Sequence, residues 1–328
     1  MQIEVNRGTQ AHYWTIGNRV RREILGEKRA AYGKAIVHAL SGQLTVEYGQ
    51  GFSRTNLFNM VRFAEVFPDP KIVHALTGQL GWTHFRLIIY LDNDLQRDFY
   101  AEMCRLERWS TRTLQKKIDG MLFERTGLSK KPSELAHQEL KALRAEDRLT
   151  PDLIFRDPYF LDFLGLKGAF HEKDVEAAIL RDMEAFILEL GTGFTFMARQ
   201  KRIQVGKKDY YLDLLFYHRK LKRLIAIELK LGEFKPEHKG QMELYLRWLE
   251  KHEQQPGEDP PIGLILCAGK DHEEIELLRL DKSGIRVAQY LTELPSRKVL
   301  QKKLHEAIHV ARERLALNAK RGLPRPRD

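Results

Sequence analysis

The chain is poor in cysteine, with two among 328 residues, Cys104 and Cys267. Two thiols alone cannot make a zinc site, and they give no basis for a disulfide framework. No run approaches the roughly 18 apolar residues that a spanning helix needs. Internal repeats and low-complexity tracts are absent as well. The opening Met1-Gln2-Ile3-Glu4 lacks the basic-then-apolar pattern of a secretory signal. The expectation is a soluble, cytoplasmic chain that does not engage a membrane. Acids are in deficit: 45 Asp and Glu stand against 55 Lys and Arg, a net charge of +10. That excess points to a polyanionic partner, nucleic acid first, although a merely basic surface gives the same sum.

The length suggests about two domains, at roughly 150 residues each. Residues 1–126 read as helical. Tyr13, Trp14, Ile16, Val20 and Ile24 fall near helical spacing over 11–24, and Ile36, Val37, Leu40 and Leu44 do so over 34–46. Ser53 is placed to cap a helix over 54–66, which Pro68 and Pro70 stop. The stretch 127–157 is polar and bounded by prolines, and reads as a linker holding a short helix. From 158 to 295 the pattern becomes mixed: a helix over 171–190, strands over 194–205, 210–217 and 224–230, a helix over 236–250, a strand over 262–268, a short helix and a last strand over 285–290. Residues 296–328 form an amphipathic helix and a basic tail, where ten Lys and Arg face three acids. After Asn318 this tail, with Lys320, Arg321, Arg325 and Arg327, reads as a disordered end.

The chemistry concentrates in two neighbouring strands. Side chains i and i+2 of a strand share a face, so Glu228 and Lys230 point the same way, while Ile225, Ile227 and Leu229 point into the core. Asp213 lies in the preceding strand, and an antiparallel turn brings the two carboxylates together. Charges in apolar strands are costly without compensation. Asp213, Glu228 and the Leu229 carbonyl make a hard oxygen set suited to Mg²⁺, with Mn²⁺ as substitute. Lys230 is placed to orient water or neutralise phosphoryl oxygens. The bland alternative is an ordinary ion pair at a solvated strand position. On the following helix Gln241 and Tyr245 share a face at i, i+4; they either touch phosphate and the lysine or simply pack. On the preceding helix Glu176 offers a third carboxylate, with Glu184 behind it, or complements the helix dipole.

These segments resemble the PD-(D/E)xK nuclease superfamily, and most closely its YhcG-type family. The carriers are Asp209-Tyr210-Tyr211-Leu212-Asp213-Leu214-Leu215-Phe216-Tyr217, Ala226-Ile227-Glu228-Leu229-Lys230, Gly232-Glu233-Phe234-Lys235-Pro236-Glu237 and, in the helical part, Tyr13-Trp14-Thr15-Ile16-Gly17 and Gly51-Phe52-Ser53-Arg54-Thr55-Asn56-Leu57. The resemblance implies an α + α/β chain: a helical N-terminal domain and a restriction-endonuclease-like αβββαβ core. It implies a Mg²⁺-dependent DNA endonuclease and assigns Asp213, Glu228 and Lys230 to the motif. Gln241 and Tyr245 match the Q-x-x-x-Y pattern of some members. The motif's leading proline is Leu212 in this chain.

In the helical domain, the 34–46 and 54–66 pair has helix-turn-helix or winged-helix character. Arg54 and Asn56, with Arg62 two turns on, are then candidates for DNA contact; the other reading is a capped, solvated helix. A chain that binds nucleic acid without cutting it is the alternative to the nuclease. RNA is the weaker substrate, because no aromatic recognition signature is present. Cutting both strands of a duplex favours a homo-oligomer, with the 299–315 helix available for contact.

Overall fold

The computed structural model describes residues 2–25, 30–166 and 171–320. The chain divides into two compact units, residues up to 123 with 137–147, and residues 124–136 with 148 onward. Arg321, Arg325 and Arg327 of the expected basic end lie outside the described residues. Lys320 is the last residue of a helix rather than part of a coil.

The first unit is helical: α1 (Gln2–Arg19), which passes into a π turn at Val20–Leu25, α2 (Ala30–Tyr48), α3 (Arg54–Val66), α4 (Pro70–Thr77), α5 (Trp82–Ile88), α6 (Asp94–Glu107) and α7 (Thr111–Asp119). Helix starts follow the local chemistry. The Ser53 hydroxyl accepts the Asn56 amide at the head of α3, and Asp69 caps α4 ahead of Pro70. Leu57 and Met60 of α3 pack with Val20 and Val37 in one buried cluster. Helix α1 crosses α3 at Gly17, where an added Cβ would lie 1.9 Å from the Met60 carbonyl oxygen. Only glycine permits that approach.

After α8 (Leu122–Arg125), the stretch expected as a linker folds as α9 (Gly127–Lys130), α10 (Ser133–Glu146) and α11 (Pro151–Ile154). Its polarity misleads near its ends, where charges are used internally: Lys130 pairs with Asp157 at 2.8 Å and Lys131 with Asp152 at 2.7 Å. Arg125 and Arg156 are 3% and 5% exposed and both pair with Glu189, at 2.5 and 3.0 Å.

The second unit is built on a six-stranded sheet in the order β1-β6-β5-β4-β3-β2. The strands are β1 (Tyr159–Phe160), β2 (Phe194–Val205), β3 (Lys208–His218), β4 (Arg223–Glu233), β5 (Ile262–Gly269) and β6 (Ile285–Leu291). The β2–β3–β4 portion is antiparallel and the β4–β5–β6–β1 portion parallel. The helix expected over 171–190 is interrupted at Asp182, giving α12 (Glu172–Arg181) and α13 (Met183–Leu190). Helix α14 (Pro236–His252) connects β4 to β5, α15 (His272–Leu278) connects β5 to β6, and α16 (Arg297–Lys320) follows β6.

Phe216 of β3 meets Phe186 of α13, whereas its neighbour Leu215 belongs to the cluster under α14. Successive strand residues face opposite sides, so α13 and α14 cover opposite faces of the sheet. This corrects the one-sided reading of β4. Leu224 and Ala226 are as buried as Ile225 and Ile227, as expected for a central strand in a sheet with helices on both sides. Among the described residues no helix is long and apolar enough to cross a membrane.

Candidate active site

The site forms where the β3–β4 ladder gives way. Regular pairing reaches Leu214 opposite Ile227, and the next position sets Asp213 opposite Glu228. Here the carboxylates stand in for backbone acceptors. The Asp213 amide donates to Glu228 Oε1 at 3.4 Å, and the Leu229 amide donates to Asp213 Oδ2 at 2.9 Å. The two acids, directly opposite on adjacent strands, are therefore held together. Lys230 Nζ reaches Glu228 Oε2 at 3.1 Å.

On the other side of β3, Arg199 pairs with Leu214 and Lys201 with Leu212. Gln200 lies between them, opposite Asp213, with a left-handed φ of 43°. That conformation costs on the order of 1–2 kcal/mol in a residue with a Cβ. Its amide nitrogen donates to Asp213 Oδ1 at 3.1 Å and to Glu176 Oε2 at 2.9 Å. Glu176 of α12 is thereby tied to the same row. One turn earlier on α12, Glu172 accepts the Leu231 amide at 3.2 Å. The row thus reads Gln200, Asp213, Glu228 across three strands, with two α12 acids beside it.

Burial sets the electrostatics. Glu228 is 3% exposed; burial first, then the Asp213 charge, pushes its carboxyl up to about 7. Burial also raises Asp213 against the hydrogen bond from the Leu229 amide, and burial with the Asp213 charge raises Glu176. For Lys230, burial pulls downward but the Glu228 carboxylate outweighs it, and the ammonium is held more firmly protonated. One buried and one half-buried carboxylate face one ammonium, so the site carries an excess of negative charge.

A hard divalent cation fits that chemistry. The donors are oxygens, and a cation offsets the burial and the neighbouring negative charge that raise both acids. Among the described residues no three His, Cys, Asp or Glu side chains already form a metal cage. The candidate ligand set is the two carboxylates with the Leu229 carbonyl.

The remaining expected residues divide sharply. Tyr245 is buried; its hydroxyl accepts from Gln241 at 2.7 Å and donates to the Tyr211 carbonyl at 3.3 Å. The pair ties α14 to β3 from within. Glu184 is exposed on α13, and Glu172 takes the place expected for it beside Glu176. In the first unit both ends of the Asn56 amide are used internally, donating to the Gly51 carbonyl at 2.6 Å and accepting from the Trp82 indole at 2.7 Å. Arg62 binds the Ile89 carbonyl and Glu65. Asn56 and Arg62 thus also serve contacts within the unit. Arg54 remains exposed, 5.8 Å from the Phe58 ring.

Neither Gln200 nor Glu172 was given a role at the site from sequence. Glu172 could have been found, since 172 and 176 share a helix face. Gln200 required the strand register.

Residues 152–305 match the family described as YhcG PDDEXK nuclease domain, and residues 1–125 match the DUF1016 N-terminal domain. The chain is 34% identical over 332 aligned positions to "Putative nuclease YhcG" of Escherichia coli (strain K12), covering 92% of this chain and 88% of that one. Two solved structures align at 18% identity: a repair endonuclease from Pyrococcus abyssi, with a TM-score of 0.26, and EndoMS in a complex with double-stranded DNA, with a TM-score of 0.29. They cover 39% and 40% of this chain, and the chain spans about half the length of each, 50% and 49%.

Proposed function

The chain belongs to the YhcG family of PDDEXK nucleases, and on that premise we propose that it is a metal-dependent endonuclease that hydrolyses phosphodiester bonds of DNA. The observation that carries this reading is the convergence of Asp213, Glu228 and Lys230 at the broken ladder between β3 and β4. A bound Mg²⁺, or Mn²⁺ in its place, would be held by Asp213, Glu228 and the Leu229 carbonyl, and supplies Lewis acidity that lowers the pKa of water and offsets charge growing on the phosphate.

The protein's own groups do the rest. Gln200 holds Asp213 Oδ1 and the Leu229 amide holds Oδ2, which fixes the carboxylate plane. Lys230, kept charged by Glu228, presents N–H donors to a phosphoryl oxygen or to the attacking water. Glu176, shifted upward, is suited to accept or return a proton at the edge of the site. The basic net charge of the whole chain favours association with a polyanion. The helical unit supplies target binding or assembly in this reading, and a homodimer supplies the second site needed to cut both strands.

The test is cleavage of linear, nicked, forked and four-way-junction DNA with Mg²⁺, Mn²⁺ or EDTA, using the parent chain and its Asp213→Ala and Glu228→Ala variants. Metal-dependent cutting by the parent alone is the expected result. Equal cutting by the variants rejects the site. Salt-dependent binding with no cutting under any metal supports the non-catalytic alternative instead.

A further inference from the structure

A second cluster of buried charge stands on the carboxyl edge of the parallel strands, away from the acids described above. Asp157, just before β1, accepts Lys130 Nζ at 2.8 Å and Lys270 Nζ at 2.5 Å on Oδ2, and the Gln289 amide at 3.1 Å on Oδ1. Lys270 also donates to the Val287 carbonyl at 2.7 Å. An ammonium has three N–H donors. Among the described residues Lys270 therefore uses two of its three, and Lys130 uses one. One carboxylate between two ammonium groups leaves a positive charge at a largely enclosed place. Burial, reinforced by the neighbouring Lys130 and opposed by Asp157, holds Lys270 below the ordinary lysine value.

These groups line a cavity of about 480 Å³, within the range that small ligands occupy. Lys303 of α16 and His272 also line it, and Glu293 is the other acid on its wall. Leu291, Leu300 and Leu304 give it an apolar side. The cavity therefore offers surplus positive charge and a hydrophobic wall together. A bare inorganic anion uses only the first of these; a nucleotide uses both, since it joins a phosphate to a base with an apolar face.

Its position relative to the catalytic lysine is fixed by register. Lys230 of β4 pairs with Cys267 of β5, and Cys267 with Gln289 of β6, which lines the cavity. Two strand spacings put Gln289 about 10 Å from Lys230, close to about three steps of duplex rise.

We propose that this cavity is a nucleotide subsite, which takes one phosphate-bearing nucleotide with its phosphate toward Lys130, Lys270 and Lys303 and its base against the leucines. The inference rests on the nuclease reading for its substrate class. The nucleotide has two sources: the strand that crosses the catalytic edge, or a free nucleotide.

Binding to the full-length chain in EDTA tests this without turnover. The probes are dAMP, followed by calorimetry, and a fluorescein-labelled duplex, followed by anisotropy. Ala307→Trp fills the cavity from α16, and Lys303→Glu reverses a charge on its exposed rim; thermal melting checks that each variant is folded, and Lys303→Glu decides alone if the tryptophan is not tolerated. The expected result is a loss of affinity of about tenfold for the duplex in both variants. Loss of dAMP binding as well identifies the free nucleotide as an occupant; loss for the duplex alone identifies the strand. Unchanged affinity of both variants for every probe that the parent binds, or no binding of either probe by the parent, overturns the proposal. Mg²⁺-dependent cleavage by the parent is read separately. A chain that cuts DNA but shows no variant effect keeps the nuclease reading and loses the subsite. A chain that does not cut, yet loses dAMP or duplex binding in the variants, keeps the subsite and loses the nuclease.

Discussion

Asp213, Glu228 and Lys230 put two carboxylates with one ammonium; Asp157, Lys130 and Lys270 put one carboxylate with two. Both clusters belong to the same unit and both are largely shielded from water, yet their acids respond in opposite directions. Burial and the neighbouring acid push Glu228 up to about 7. Asp157 also suffers burial, but Lys270 and Lys130 overcome it and hold the carboxyl far below its usual range. Burial by itself therefore does not mark a functional acid. The local charge count separates a carboxylate settled in an ion-paired cluster from one that remains short of a cation.

The largest effect expected from this contrast is catalytic. Asp213→Ala or Glu228→Ala should lower metal-dependent cleavage by about 1000-fold, read as initial rates on a duplex substrate, whereas Asp157→Asn should leave the cleavage chemistry of the folded chain far less altered. In stability the order reverses. Asp157→Asn leaves two lysines without their counter-charge and should cost about 3 kcal/mol, measured by urea denaturation in EDTA. Glu228→Gln removes a carboxylate whose burial and Asp213 neighbour outweigh its pairing with Lys230, and should leave the metal-free chain as stable or more so; a loss comparable to that of Asp157→Asn would erase the distinction.

The pH dependence should sharpen it. Asp157 has a depressed folded pKa, so its stabilisation is present above the ordinary carboxylate range and is lost as pH falls through the folded value. Glu228 has a raised one, so its contribution falls as pH rises from about 4.5 to about 7 and then levels off. Melting curves of the parent, Asp157→Asn and Glu228→Gln in EDTA should show the acid-side slope lessen in the first variant and the slope between pH 4.5 and 7 lessen in the second. Mg²⁺ should raise the parent's Tm at pH 8 by a few degrees, about 2–4 °C, and leave that of Asp213→Ala unmoved. The smallest effect is assigned to Gln200→Ala, a drop of about tenfold in kcat with little change in KM, because Gln200 orients Asp213 without supplying charge.

The acids and the lysine were legible because strand periodicity is two, so Glu228 and Lys230 had to share a side, and a short turn had to bring Asp213 opposite. Element order in the sheet unit followed from the same alternation. The two-residue β1 is too short to carry any periodicity, and its parallel pairing with β6 joins residues 131 apart in sequence, Tyr159 and Tyr290. The stretch 127–157 was misread because composition cannot distinguish a solvated arginine from Arg156, which is buried against Glu189. Asn56 likewise has a use that local sequence does not show: its polar amide serves a contact with Trp82, 26 residues away. Gln200 is set apart by its backbone angle, and nothing in the local pattern Arg199-Gln200-Lys201 announces it.

The left-handed turn at Gln200 has a further consequence for how the molecule behaves among its neighbours. Strand β2 closes one side of the sheet, is 12 residues long, and pairs only with β3 in the sheet order. A long flat border of that kind is a template on which another chain could add a strand. The left-handed residue in mid-strand breaks the extended backbone, and Arg199, Lys201 and Arg202 set basic side chains around it, the last two paired with Glu253 and Asp209. The distortion that aims an amide at Asp213 thus also guards the border against edge-to-edge aggregation.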